Sequence, residues 1–200
     1  MKSLSSLCAA TTILIAVQAC ADPVVENLSR VQGNVVAGSQ GMMAINLAAG
    51  DSNAQLNASA LAISTGLGVQ SLQLRQRINF SAIDQAQDSI STIGESAFSN
   101  AQGALSVNQV SGVGNAQINA ISIGIGLEGA AITDAQLAAS TSGQAVSAPD
   151  DPQFRREARI EGQAFKGSSG LVQVNQLAGT GNATANNFQL SVELGATNQQ

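Results

Sequence analysis

The chain contains no His, no Trp and no Tyr, and only 10% of its 200 residues are charged. Each absence closes a class of function. Without His, and with its two Cys confined to positions 8 and 20, the chain lacks the usual nucleophile–base pairs and soft metal ligands. Neither an enzyme nor a cofactor or metal is expected. Eight Lys and Arg stand against thirteen Asp and Glu, and Arg155, Arg156 and Arg159 form the sole basic cluster. A surface that tracks phosphates needs more positive charge, so no nucleic-acid partner is expected. Five Phe are the only aromatics. Ala supplies much of the 44% hydrophobic content, which makes one dense globular core hard to build. Disorder usually combines low hydropathy with high net charge, and this chain has neither. A neutral, weakly apolar chain rich in Asn, Gln, Ser and Gly points to stacked β-structure and assembly.

The first 21 residues, "MKSLSSLCAATTILIAVQACA", have the form of a secretory signal peptide. Lys2 supplies the positive start, Leu7 to Val17 the short apolar core, and Ala19-Cys20-Ala21 the small residues before a cut at Asp22. Lipidation of Cys20 is the alternative. No later segment has 18 uncharged apolar residues, so no membrane span is expected.

What is present is a unit written three times. Gly41, Gly103 and Gly170 open it. Five residues on stand Asn46, Asn108 and Asn175; nine on, Gly50, Gly112 and Gly179. Twelve on come Asn53, Asn115 and Asn182, and sixteen on, Asn57, Asn119 and Asn186. The periods are 62 and 67 residues, so the connectors vary while the unit does not. Just upstream, Phe98 aligns with Phe165 and with Val36. The expected division is a leader (1–21), a tail (22–30), repeats at 31–63, 93–126 and 160–193, linkers at 64–92 and 127–159, and a tail at 194–200. Within the linkers "AIDQAQDSI" (82–90) and "AAITDAQLAAS" (130–140) suggest short helices.

Inside the unit the apolar period is two, the mark of a β-strand. Leu105, Val107 and Gln109 share one face, with Ser106 and Asn108 on the other. Val172, Val174 and Gln176, and Met43, Ile45 and Leu47, are their equivalents. A turn follows at "AAGDSN", "SGVGN" or "AGTGN", built from residues that tolerate positive φ. A second arm carries Asn57, Leu61 and Ile63 on one face, matched by Asn119, Ile123 and Ile125, and by Asn186, Leu190 and Val192. Each unit is thus strand, turn, strand.

One such pair cannot bury its apolar face alone, but three near-identical pairs can stack. The expected fold is all-β: three strand-turn-strand repeats stacked as a β-solenoid or cross-β unit, with irregular or partly helical linkers. Equivalent residues then lie about 4.8 Å apart. A side-chain amide donates to one neighbour and accepts from the other, provided that every layer has an amide there. Gln109 and Gln176 extend this ladder, and Ile45, Val107 and Val174 with Ile63, Ile125 and Val192 supply apolar columns. The two ends of the stack are templates for further copies. The expected partner is the chain itself. A monomeric secreted solenoid adhesin or binding module, and a periplasmic chaperone-like accessory of a fibre system, are the alternatives.

Three other motifs carry no chemistry. Gly124, Gly126 and Gly129 spell Gly-x-Gly-x-x-Gly, but they close a repeat instead of opening the helix of a βαβ unit. Asp51-Ser52-Asn53 offers oxygen ligands, yet its equivalents Val113-Gly114-Asn115 and Thr180-Gly181-Asn182 lose the carboxylate. Asp150 and Asp151 sit in the proline-containing linker "SAPDDPQ".

The first unit resembles the repeats of the Fap functional amyloid family, secreted fibre proteins of bacterial biofilms. The matching residues are Gly41, Asn46, Ala48, Ala49, Gly50, Asp51, Asn53, Gln55, Asn57 and Ala58. The second copy keeps Gly103, Asn108, Gly112, Asn115, Gln117, Asn119 and Ala120; the third keeps Gly170, Asn175, Ala178, Gly179, Asn182 and Asn186. The resemblance implies export through an outer-membrane secretion pore, fibril formation with itself and related subunits, and a matrix or adhesive role outside the cell. The main subunits of the family carry a Cys-x-Cys near the C-terminus. The ending "VELGATNQQ" has none, which leaves a minor or nucleating place open.

Overall fold

The computed structural model describes residues 25–65, 68–80, 87–126, 130–143 and 154–193. Every regular element in these segments is a strand. The chain runs β1 (Val25–Val31), β2 (Gln40–Ala49), β3 (Ala54–Ser64), β4 (Gly68–Phe80), β5 (Gln87–Ile93), β6 (Gln102–Val113), β7 (Ala116–Gly126), β8 (Ala130–Gly143), β9 (Arg156–Ile160), β10 (Ser169–Thr180) and β11 (Ala183–Glu193). No strand pairs with its chain neighbour. Each pairs in parallel with its equivalent in the next repeat, giving sheets ordered β1-β5-β9, β10-β6-β2, β11-β7-β3 and β4-β8. The molecule is a parallel β-solenoid of three layers, with β5 to β8 in the middle.

The register is that of the sequence repeat. Gly41, Gly103 and Gly170 are partners, as are Asn46, Asn108 and Asn175 on one arm, and Asn57, Asn119 and Asn186 on the other. In-register parallel pairing stacks each side chain on its own kind, so a slip of one residue would turn every apolar column outward. The alternation of β6 sorts its side chains. Leu105 and Val107 face β5 and the loop before β6, in a core with Val31, Ile93, Ala97, Phe98 and Ala164. Asn108 faces β7 and β3.

The loops 32–39, 94–101 and 161–168 stack as the strands do. Val36 N donates to Ala97 O at 2.9 Å, and Phe98 N to Ala164 O at 2.8 Å. The Phe98 and Phe165 rings lie parallel, 5.0 Å between centroids, and Phe98 is fully buried. Phe98→Ala is expected to lower stability by about 3–5 kcal/mol, read as the shift of the urea midpoint. The same change at the half-buried Phe165 should have a smaller effect, because its column ends there.

The expected short helices are corrected. Residues 130–140 belong to β8 and 87–90 to β5, while 82–86 lie outside the described residues. Helix propensity is worth only tenths of a kcal/mol per residue. A parallel partner, β4 for β8 and β1 for β5, pairs the backbone along one whole edge of the segment and outweighs that preference. The predicted leader and the tail 194–200 also lie outside the described residues.

Candidate functional site

The chemistry-bearing groups of this fold are carboxamides, held between β2/β6/β10 and β3/β7/β11. Two Asn columns interleave there. Asn57 Nδ2 donates to Asn46 Oδ1 at 2.8 Å, Asn108 Nδ2 to Asn57 Oδ1 at 3.0 Å, and Asn119 Nδ2 to Asn108 Oδ1 at 3.0 Å. Asn175 Nδ2 donates to Asn119 Oδ1 at 3.0 Å, and Asn186 Nδ2 to Asn175 Oδ1 at 2.9 Å. Vertical bonds run alongside, Asn108 to Asn46 at 3.1 Å and Asn175 to Asn108 at 3.0 Å. The second column follows suit, Asn119 to Asn57 and Asn186 to Asn119, both at 3.0 Å. The amides of Asn57, Asn108, Asn119, Asn175 and Asn186 also reach a facing main-chain carbonyl, for example Asn108 to Leu56 O and Asn119 to Val107 O at 3.0 Å. Of these, the bonds between layers all donate toward the first layer, while Asn57–Asn46, Asn119–Asn108 and Asn186–Asn175 lie within a layer. The zigzag therefore has a polarity.

A third Asn column holds the turn. Asn53 Nδ2 donates to Gly112 O at 2.7 Å and Asn115 Nδ2 to Gly179 O at 2.8 Å. Asn115 N and Asn182 N donate to the Asn53 and Asn115 side-chain oxygens at 3.1 and 3.0 Å. One short side chain thus satisfies both a turn carbonyl and the amide of the layer above. Glycine leads into the turn: φ is +95° at Gly50, just after β2, and +121° at Gly112 and +117° at Gly179, which are the last residue but one of β6 and β10, and an L side chain is strained there. Gly114 and Gly181, in the turn itself, have φ of +68° and +69°.

On the opposite face of β6, Gln109 Nε2 donates to Ser29 O and Thr92 O, both at 3.0 Å, and Gln176 Nε2 to Gln109 Oε1 at 3.0 Å. Asn108, Gln109, Asn115, Gln117 and Asn119 of the middle layer are all fully buried. Burying an unpaired amide costs several kcal/mol. The Asn columns have an amide in every layer, while Gln109 lies over Leu47 and Gln117 under Thr184, and their Nε2 groups are answered by main-chain carbonyls.

The apolar positions divide. Val107 is fully buried, with Ile45 and Val174 packed against its cluster. Ile63, Ile125 and Val192 form one column, but Ile125 and Val192 are half-buried and Ile63 is 71% exposed. Leu61 is 57% exposed. Sequence reasoning missed two features. Gln55 Nε2 donates to Gln117 Oε1 at 2.7 Å in a further amide column. The second is a cluster of charges of both signs on and beside β1, β5 and β9, with Glu26, Arg30, Arg155, Glu157 and Arg159 around one depression; the alternation of "VENLSRV", "QDSISTI" and "REARI" was the available signal.

The outer face of that charged sheet holds a depression of ≈ 250 Å³ lined by Glu26, Arg30, Thr92, Arg155, Glu157 and Arg159 among others. Glu157 accepts from Arg155 at 2.9 Å and lies 2.5 Å from Arg159. The hydrogen bond from Arg155, then the charge of Arg159, hold its carboxyl below the ordinary glutamate value. The folded pKa is depressed, so this contribution is present above the ordinary carboxylate range. It is lost as pH falls through the lowered value.

Among the described residues no group of three His, Cys, Asp or Glu side chains is gathered as a metal site, and no helix is long and apolar enough to cross a membrane. The geometry defines a class: a parallel, in-register cross-β stack held by side-chain amide ladders. The sequence model of the functional amyloid protein FapB/FapC family matches residues 11–193. The chain belongs to that family, a structural amyloid family of self-assembling subunits. No solved structure matches it.

Proposed function

We propose that the chain is a secreted structural subunit of an extracellular amyloid fibre in a bacterial biofilm matrix. It reaches the surface through the periplasm and an outer-membrane pore, and polymerises by stacking its third layer on the first layer of the next copy. One observation carries this reading. The middle layer, covered on both sides, buries its amides and aliphatics almost completely. The end layers carry the same columns half-covered. Continuing the register places Gly170 over Gly41, Asn175 over Asn46, Asn182 over Asn53 and Asn186 over Asn57 of a second copy. Each is a like-on-like pair of the kind found inside the chain.

Purified chain without residues 1–21 should assemble, after a lag that its own seeds abolish. The product should give a meridional reflection near 4.8 Å and a thioflavin signal. A chain that stays a β-rich monomer at high concentration with seeds present would instead be a solenoid adhesin. One that stays soluble and delays another subunit would be a chaperone-like accessory. Seeds of this chain that shorten the lag of a related subunit, more than that subunit's own seeds do, would assign it a nucleating place.

A further inference from the structure

We infer that the joint between two copies is an ionic lock, with Arg155 of one copy seated on Glu26 of the next, a side-chain ion pair between layers of a kind not found within the chain among the described residues. This rests on the stacking of a second copy proposed above and specifies its chemistry. On the outer face of the β1-β5-β9 sheet, Glu26 lies below Asp88, and Arg155 lies above Asp88, donating its main-chain N–H to the Asp88 carboxylate at 2.7 Å. Within one chain that column reads acid, acid, base. Its two acids are neighbours, an unfavourable arrangement on the inner layers. Continuing the same register puts Glu26 of the next copy directly above Arg155, about 4.8 Å away. The repeating column then reads acid, acid, base, and each Arg lies between two acids.

The adjacent columns accommodate this. Arg159 meets Arg30 of the next copy; Glu157 pairs within the chain with Arg159 and with Arg155, at 2.5 and 2.9 Å, so the Arg155 guanidinium bridges Glu157 and the incoming Glu26. Glu157 and Glu161 flank Arg159 in the strand direction and stand diagonal to the incoming Arg30. Diagonal neighbours on one face remain within reach of long side chains. A second observation marks the same end of the stack. The Thr184 hydroxyl oxygen is buried with no hydrogen-bond partner among the described residues. Thr184 occupies the column of Gln117 and Gln55, so the next copy brings the Gln55 carboxamide above it. Internal layers there use a Gln–Gln bond at 2.7 Å; the joint substitutes Thr–Gln. The joint therefore carries its own recognition chemistry, and its partner is the first layer of this same chain.

Charge exchange separates the joint from the fold. Glu26→Arg places Arg over Asp88 inside the chain, a favourable exchange, but Arg over Arg155 between chains. The expected result is an unchanged or higher urea midpoint of the chain. Elongation from wild-type seeds should be roughly three- to tenfold slower at ~20 mM salt, with the difference largely gone at ~500 mM. Arg155→Glu seeds should restore the Glu26→Arg chain to within about twofold of the wild-type rate, because the pair is re-formed with reversed signs. The inference is overturned if Glu26→Arg elongates on wild-type seeds at the wild-type rate at low salt, or if Arg155→Glu seeds give no recovery. A wild-type chain that forms no fibres under any seeding would sink the fibre reading itself. Fibres that grow normally from the Glu26→Arg chain would sink only the lock.

Discussion

Gly112→Ala should abolish the seating of the third layer on the second. The Cβ of an alanine there would run into the main-chain carbonyl of Gly179, with the Gly179 carbonyl carbon 2.8 Å away. Both groups are backbone in adjoining strands, so neither has a rotamer through which to escape. The φ of +121° adds a strain of its own. Together these amount to about 3–6 kcal/mol, comparable with the whole stability of many small domains. The expected measurement is loss of amide-exchange protection across β10 and β11, with β2 and β6 affected less. Gly38→Ala is the matched control: φ is +69°, but nothing lies within 4 Å of the new methyl. It should lose only the backbone term, about 1 kcal/mol. Equal losses in the two variants would show that close approach of the layers does not set the requirement for glycine.

Asn108→Leu should be the second severe change, for the opposite reason: the shape is kept and the bonding removed. Asn108 donates to Asn46, Asn57 and the Leu56 carbonyl, and accepts from Asn119 and Asn175, all at 3.0–3.1 Å and fully buried. Leucine leaves those partners short of a bond in a site that water cannot reach. A loss of about 3–5 kcal/mol is expected, together with slower assembly. Asn187→Leu supplies the control. Asn187 is exposed on β11 over Ala120, off the ladder, and its replacement should change the urea midpoint by under about 0.5 kcal/mol. If the two substitutions act alike, buried amide pairing is not what holds the arms together.

Much of this was legible in the chain because the fold repeats. Invariant offsets of Gly and Asn announce columns, since a parallel stack puts each residue on its equivalent. Asn108 could be read as facing away from Val107 from spacing alone. Gly112 and Gly179, expected as turn residues, lie instead inside β6 and β10, because their parallel pairing with each other carries the strand past them. The linkers were misread because their Ala, Gln and Ser residues have weak preferences of either kind. β8 is a strand because β4 lies beneath it, a partner 62 to 63 residues distant for which no local pattern speaks. Leu61 and Ile63 show the same limit. Their period assigns them a face, yet how far that face is covered depends on what stands opposite.

The sequence by itself determined the register, the turn positions and the neutrality of the ladders, because these follow from residue identity at fixed offsets. Tertiary structure alone decided that each layer has flanking strands, that Gln109 bonds across to the Ser29 and Thr92 carbonyls, and that Glu26 and Arg30 share one depression with Arg155, Glu157 and Arg159. Those outcomes depend on which arm folds against which. That choice is made by the backbone pairing and burial available to the whole stack, and no single repeat contains it.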